Sequence, residues 1–220
     1  MQRSARYSLI VFDWDGTLID SASAIVECIQ LAAGDLSLPV PDRDTASHVI
    51  GLGLHDSLRH AVPSLPGARY GEFVARYREH FLEREHAMGL FPGVRELLDE
   101  LHRRGHSLAV ATGKSRRGLQ RAMQTTGLAA LFSATRCGDE TEPKPHPAML
   151  LELMQELVVE PGHALMIGDT SHDLAMAAAA GVDALAVAYG AHPGERLRAL
   201  GPRACVASIT ELRTWLETNA

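Results

Sequence analysis

Cysteine is scarce in this sequence: Cys28, Cys137 and Cys205 are the three in a chain of 220 residues, and they lie far apart. An odd count at such spacing supports neither a disulfide framework nor a zinc cluster, and it fits a reducing compartment. Long apolar runs are also missing. The run Leu9–Phe12, which follows Arg3 and Arg6, is too short for the apolar core of a signal peptide and far short of the ~20 residues that span a bilayer. The alanine-rich stretch from Leu174 to Ala188 is broken by Gly181 and Asp183 and reads as close-packed helix. No block of five like charges occurs, and 21 basic against 27 acidic residues give a formal charge of −6. That balance argues against a broad nucleic-acid surface. What is present is the composition of an ordinary soluble protein, 46% apolar and 22% charged, with length for one large domain or one and a half. A cytoplasmic protein with no membrane and no nucleic-acid partner is expected; the sequence does not fix its oligomeric state.

Apolar runs of strand length recur at 7–12, 107–111, more weakly 131–135, 164–167, 184–188 and 204–206. Several are apolar at consecutive positions, as in strands covered on both faces. Helical patterns alternate with them at 93–104, 115–126, 147–158, 171–180, 195–200 and 210–217, three of them closed by Gly105, Gly127 and Gly181. This alternation predicts an α/β fold, a doubly wound parallel sheet of Rossmann-like type. One interval breaks the rhythm. The stretch from Asp13 to Thr112 is about three times the roughly 30 residues of a βαβ unit. Its surplus reads as helices at 23–33, 42–50, 55–61 and 70–85. The expected organisation is therefore a core of residues 1–19 and 89–220 with an inserted α-helical cap at 20–88.

Ligands of such sheets sit outside the carboxyl ends of the strands. The first strand delivers Asp13-Trp14-Asp15-Gly16-Thr17 there, and the second delivers Thr112-Gly113-Lys114-Ser115. The fourth delivers Gly168-Asp169 and, four residues on, Asp173; Lys144 lies between prolines just ahead of it. Taken singly, each piece has a plain structural reading: Asp169 or Ser171 as a helix N-cap, Lys144 as a solvated loop residue. Together they gather carboxylates that repel unless a cation joins them. The donors are hard oxygens with no Cys or His cluster alongside, which selects Mg²⁺ over zinc. The Thr112–Ser115 turn opens a helix and suits a phosphate. Carboxylate nucleophile, magnesium, lysine and amide nest describe phosphoryl transfer through an aspartyl-phosphate.

With these four motifs in this order, the chain resembles the haloacid dehalogenase superfamily, in its phosphoglycolate phosphatase-like branch. The resemblance covers essentially the whole chain, and 16–21 and 91–94 resemble the hinges around a helical cap. It implies a hydrolase of small phosphorylated metabolites. Asp13 would be the nucleophile, and Asp15 the general acid and then base, its carbonyl touching the metal. Thr112 and Gly113 would hold the phosphoryl group and Lys144 would neutralise Asp13 and the phosphate. Asp169 and Asp173 would hold Mg²⁺ with Asp13 and Asp15. Dehalogenases of the superfamily lack the second aspartate, present here as Asp15. A sugar-phosphate mutase, a pyrophosphatase and a non-catalytic phosphate-binding regulatory module share the core and stay open as alternatives. Trp14 is expected to pack. His80, His86, His102 and His106 are expected to be solvated and His172 structural, with Arg116 and Arg117 exposed or assisting an anion. The loop Gly51-Leu52-Gly53 has two readings: a helix–helix turn, or a loop over the aspartates with His55 or Arg59 meeting an anionic substrate tail.

Overall fold

The computed structural model describes residues 6–220; Arg3 and the rest of 1–5 lie outside the described residues. Six strands form one parallel sheet: β1 (Leu9–Phe12), β2 (Ser107–Thr112), β3 (Ala134–Cys137), β4 (Ala164–Gly168), β5 (Asp183–Val187) and β6 (Ala204–Val206). Their order is β3-β2-β1-β4-β5-β6, which places the reversal of strand order between β1 and β4. That crevice is where an open α/β sheet binds its ligand.

Alternation along β1 explains the two layers. Ile10 and Phe12 face a core shared with α5 (Val94–Arg103), α6 (Arg116–Thr126) and α10 (Ile209–Asn219). Leu9 and Val11 face the opposite core, shared with α7 (Ala148–Leu157) and α8 (Ser171–Ala179). All four β1 side chains are therefore buried, which is why the strand reads as an unbroken apolar run. A short α9 (Gly194–Arg198) covers the far edge through Leu197.

Between β1 and α5 run α1 (Ala22–Asp35), α2 (Arg43–His48), α3 (Leu54–Ala61) and α4 (Tyr70–Arg84). They enclose an apolar cluster of their own, with Ile25, Ile29 and Ala32 of α1 against Leu58 of α3 and Phe73 and Phe81 of α4. The two chain segments joining this helical insert to the sheet are tied together. Asp20 N–H donates to the Gly89 carbonyl at 2.9 Å, and Phe91 N–H to the Leu18 carbonyl at 3.0 Å.

Three expectations are corrected. The third strand begins at Ala134, later than expected, because Leu131 and Phe132 pack into the core from a short 3₁₀ turn and its exit. His106 is buried, not solvated: its Nδ1 lies 2.8 Å from the Tyr7 carbonyl, and Nε2 has no partner. The acceptor at Nδ1 fixes the tautomer with its proton there. Burial holds the imidazole below its ordinary pKa. His80, too, is engaged, with Nε2 2.7 Å from a carboxylate oxygen of Asp35.

Candidate active site

The switch-point crevice collects the motifs at the ends of β1, β2 and β4. Asp13 directly follows β1, and its N–H donates to the Ile167 carbonyl of β4 at 2.9 Å. Asp169 directly follows β4, and Asp173 stands in the first turn of α8. Carboxylate oxygens of Asp13, Asp169 and Asp173 lie within 4.8 Å of one another, all buried. Lys144 is buried among them, its Nζ 2.6 Å from Asp13 Oδ1 and 2.6 Å from Asp173 Oδ1. One ammonium thus bridges two of the three carboxylates and compensates the cluster in part. With all three ionised, two negative charges remain.

Each carboxylate is held by a different local device. Thr170 caps α8: Asp173 N–H reaches Thr170 Oγ1 at 3.3 Å, and Asp173 Oδ2 accepts from Thr170 N–H at 3.0 Å and from its hydroxyl at 2.7 Å. The cap is therefore Thr170, not Asp169 or Ser171. Asp169 Oδ1 accepts from the Thr17 hydroxyl at 2.8 Å, and Oδ2 from Ala191 N–H at 2.7 Å. Gly16 has φ +82°, and a Cβ there would fall 2.2 Å from Asp169 Oδ2, so only glycine fits this turn. Asp13 Oδ2 is the exception: it is buried and has no hydrogen-bond partner among the described residues.

The electrostatics follow from this crowding. Burial, with the neighbouring carboxylates, raises the Asp13 pKa against the opposing pull of Lys144. Burial and then Asp173 push Asp169 up to about 7. For Lys144, burial works against the charge, but Asp13 and Asp173 prevail and its pKa is raised. A cation added beside these oxygens would favour the ionised carboxylates.

Asp15 stands apart from the trio. Its Oδ1 accepts from the Ser21 hydroxyl at 2.9 Å, and Lys114 Nζ reaches its two oxygens at 3.0 and 2.9 Å. Lys114 also lies 4.6 Å from the ring centroid of Phe81 on α4. In the sequence Lys114 stands only as part of the phosphate turn. Its role as partner of Asp15 has no local signal, since the two are 99 residues apart. Thr112 is buried at the end of β2, and its Oγ1 accepts from Lys114 N–H at 3.2 Å.

The loop at 51–53 does reach the crevice. A Cβ on Gly113 would meet the Leu52 carbonyl oxygen at 2.4 Å and that of Gly51 at 2.6 Å. Gly113→Ala is expected to lower the melting temperature by several degrees, in line with the about 1–3 kcal/mol typical of overpacking. An unchanged melting curve would mean that the loop yields freely. Arg59 is corrected: it lines a separate cavity on the helical insert with Val62, Pro63 and Tyr70, whereas His55 borders both that cavity and the crevice. Arg116 is corrected as well. It holds Glu140 at 2.6 and 2.7 Å and Thr135 Oγ1 at 2.6 Å, so it is neither a free surface group nor an anion ligand. Arg117 is exposed and borders the crevice. Trp14 packs edge-on against Phe132, as expected.

His172 is structural. Its Nε2 lies 2.8 Å from the His48 carbonyl of α2, and His192 Nε2 lies 3.1 Å from the same oxygen. Ser171 N–H donates to His192 Nδ1 at 3.0 Å, which leaves the proton on Nε2. Through these contacts His172 and His192, grouped with the imidazole of His48, fasten the insert to the sheet.

A family model described as haloacid dehalogenase-like hydrolase matches residues 10–187. A Dickeya dadantii protein named Probable phosphatase IndB is 37% identical over 212 residues, covering 93% of this chain and 91% of that one. A phosphoglycolate phosphatase from Aliivibrio fischeri is 32% identical over 196 residues, covering 85% and 86%. Among solved structures, a predicted phosphoglycolate phosphatase from Haemophilus somnus superimposes with a TM-score of 0.86 at 26% identity, covering 96% of this chain and 99% of that one. The chain belongs to the haloacid dehalogenase-like hydrolase family. Within it, the chain is an enzyme of the phosphatase type.

Proposed function

We propose that the protein is a Mg²⁺-dependent phosphatase of small phosphorylated metabolites, phosphoglycolate-like monoesters among them, acting through an aspartyl-phosphate on Asp13. The observation that carries this reading is Asp13 itself. It is buried at the switch point with Oδ1 bound by Lys144, while Oδ2 is left without a partner. Asp13, Asp169, Asp173 and the backbone carbonyl of Asp15 would hold the metal. The fit rests on hard oxygen donors, the orphaned Oδ2 and the two charges left uncompensated by Lys144. When bound, Mg²⁺ supplies charge neutralisation to the carboxylates and to the phosphoryl oxygens.

In this mechanism a carboxylate oxygen of Asp13 attacks phosphorus, forming the acyl-phosphate bond as the bond to the leaving oxygen breaks. Asp15, oriented by Ser21 and Lys114, gives that oxygen its proton. Thr112 and the Gly113 amide hold the phosphoryl oxygens, and Lys144 offsets the charge on Asp13. Water then attacks phosphorus, Asp15 takes its proton, and Asp13 is regenerated as inorganic phosphate leaves. Residues 20–88 act as a cap over this site, on a core of 1–19 and 89–220. The domain boundaries are part of the proposal. No helix among the described residues is long and apolar enough to cross a membrane.

The test is turnover of an aryl phosphate with and without Mg²⁺, run beside a melting curve. Activity is expected to require the metal, and millimolar Mg²⁺ to raise the melting temperature by binding the native state. Asp169→Ala is expected to shrink that rise. A wild-type protein whose activity and melting temperature both ignore Mg²⁺ would contradict the reading.

A further inference from the structure

We propose that, among the phosphomonoesters taken by this site, those with a bulky, largely apolar leaving group are turned over best, a proposal that rests on the phosphatase reading above. A cavity of about 570 Å³ lies between the helical insert and the strand ends. Its floor is Asp13, Asp15, Thr112 and Gly113. Its opposite wall is Ile25 and Ile29 of α1, Val49, Leu58 of α3, and Tyr77 and Phe81 of α4. Leu58 and Val49, 0% and 1% exposed, stand behind the wall in the insert's own core, and the surface that meets the cavity comes from Ile25, Ile29, Phe81 and half-buried Tyr77.

Cavities of about 300–1,000 Å³ accommodate drug-sized ligands. A phosphoryl group on the Asp13–Thr112 floor occupies only part of this one. A two-carbon acid such as glycolate would leave much of the apolar wall unfilled, and a carboxylate set against Ile25, Ile29 or Phe81 would be buried beside carbon. Burying that charge without a partner is costly. The inner cations are already taken: Lys114 is paired with Asp15, and Arg121 with Glu85 at 2.8 and 3.0 Å. Arg78 and Arg117, which have no carboxylate partner among the described residues, are exposed. An apolar body of ring size matches the wall. The Tyr77 hydroxyl has no hydrogen-bond partner among the described residues and leaves one polar contact available to that body.

The experiment is a homologous series of ethyl, butyl, hexyl and benzyl phosphate, with phosphoglycolate alongside, assayed for kcat/KM with Mg²⁺. The leaving alcohols of the alkyl series are chemically alike, so the series reads contact with the wall. Burial at about 0.8 kcal/mol per methylene predicts a rise of about three- to fourfold per CH₂ until the cavity is filled. Benzyl phosphate is expected to exceed ethyl phosphate by at least tenfold, and phosphoglycolate to fall below butyl phosphate. Ile25→Asn is expected to flatten the dependence on chain length. Leu82→Gln, at a half-exposed cavity residue, reports the same change where Ile25→Asn fails to fold. A flat or falling series in an enzyme that hydrolyses ethyl phosphate and phosphoglycolate would overturn the leaving-group proposal and leave the phosphatase reading standing. No hydrolysis of any ester, an aryl phosphate included, would overturn both.

Discussion

Asp13→Asn is expected to abolish turnover while leaving the protein folded. The substitution keeps the volume and removes the charge that attacks phosphorus; losing an essential covalent residue costs on the order of 10⁴–10⁶ in rate. The stability of the variant separates a chemical loss from a structural one. Asp13 is one of three buried carboxylates around one ammonium, and Lys144 still has Asp173 at 2.6 Å. Its removal relieves like-charge repulsion, so the metal-free variant is expected to melt no lower than the wild type. The rise in melting temperature with Mg²⁺ should shrink at the same time, because a candidate ligand is gone. Activity above a few per cent of wild type in a pure sample would remove Asp13 from the nucleophile's place.

The second large effect is at Lys144. Its side chain is fully buried and is the ammonium that Asp13 and Asp173 share. Removing one partner of a buried ionic group leaves charge uncompensated, with losses of about 3–5 kcal/mol. Lys144→Met preserves much of the apolar stem, so the loss reports the charge. At about 2–4 °C per kcal/mol for a protein of this size, the metal-free variant is expected to melt roughly 10 °C lower. Adding Asp173→Asn to Lys144→Met should restore part of that loss by taking away one of the stranded carboxylates, and Mg²⁺ should restore part of it by mass action. A Lys144→Met protein that melts with the wild type would show that the buried pairs contribute nothing to the fold.

Much of this site was legible because the chemistry lies in short motifs at strand ends. An apolar run fixes where a strand stops, and topology then brings Asp13, Thr112 and Asp169 to one edge whatever the details of packing. The same logic exposed the helical insert, since the spacing between β1 and β2 is too long for one crossover. Contacts made across the chain left no such trace. Thr17 reaches Asp169 over 152 positions, and Lys114 reaches Asp15 over 99; neither pairing has a periodicity or a spacing to read. The third strand begins later than the apolar pattern suggests because Leu131 and Phe132 are apolar for the sake of the core, not of a strand. His106, a polar residue after a helix-ending glycine, reads as solvated in the sequence, and only the fold brings the Tyr7 carbonyl beside it. Sequence proximity groups Arg59 with His55, but on α3 His55 alone of the two borders the crevice, and Arg59 lines only the cavity on the insert.

The account turns on a covalent bond to Asp13, and trapping that bond tests it most directly. The enzyme would be mixed with a phosphomonoester and Mg²⁺, quenched in acid within the first turnover, reduced with borohydride, and digested for mass spectrometry. An acyl-phosphate on Asp13 is reduced to homoserine, so the peptide carrying residue 13 is predicted to contain homoserine at that position in proportion to substrate. With an aryl phosphate, whose leaving group departs without a proton from Asp15, Asp15→Asn slows the attack of water and should increase the fraction trapped. An enzyme that turns over substrate while Asp13 stays unmodified, with homoserine elsewhere or nowhere, would contradict the mechanism.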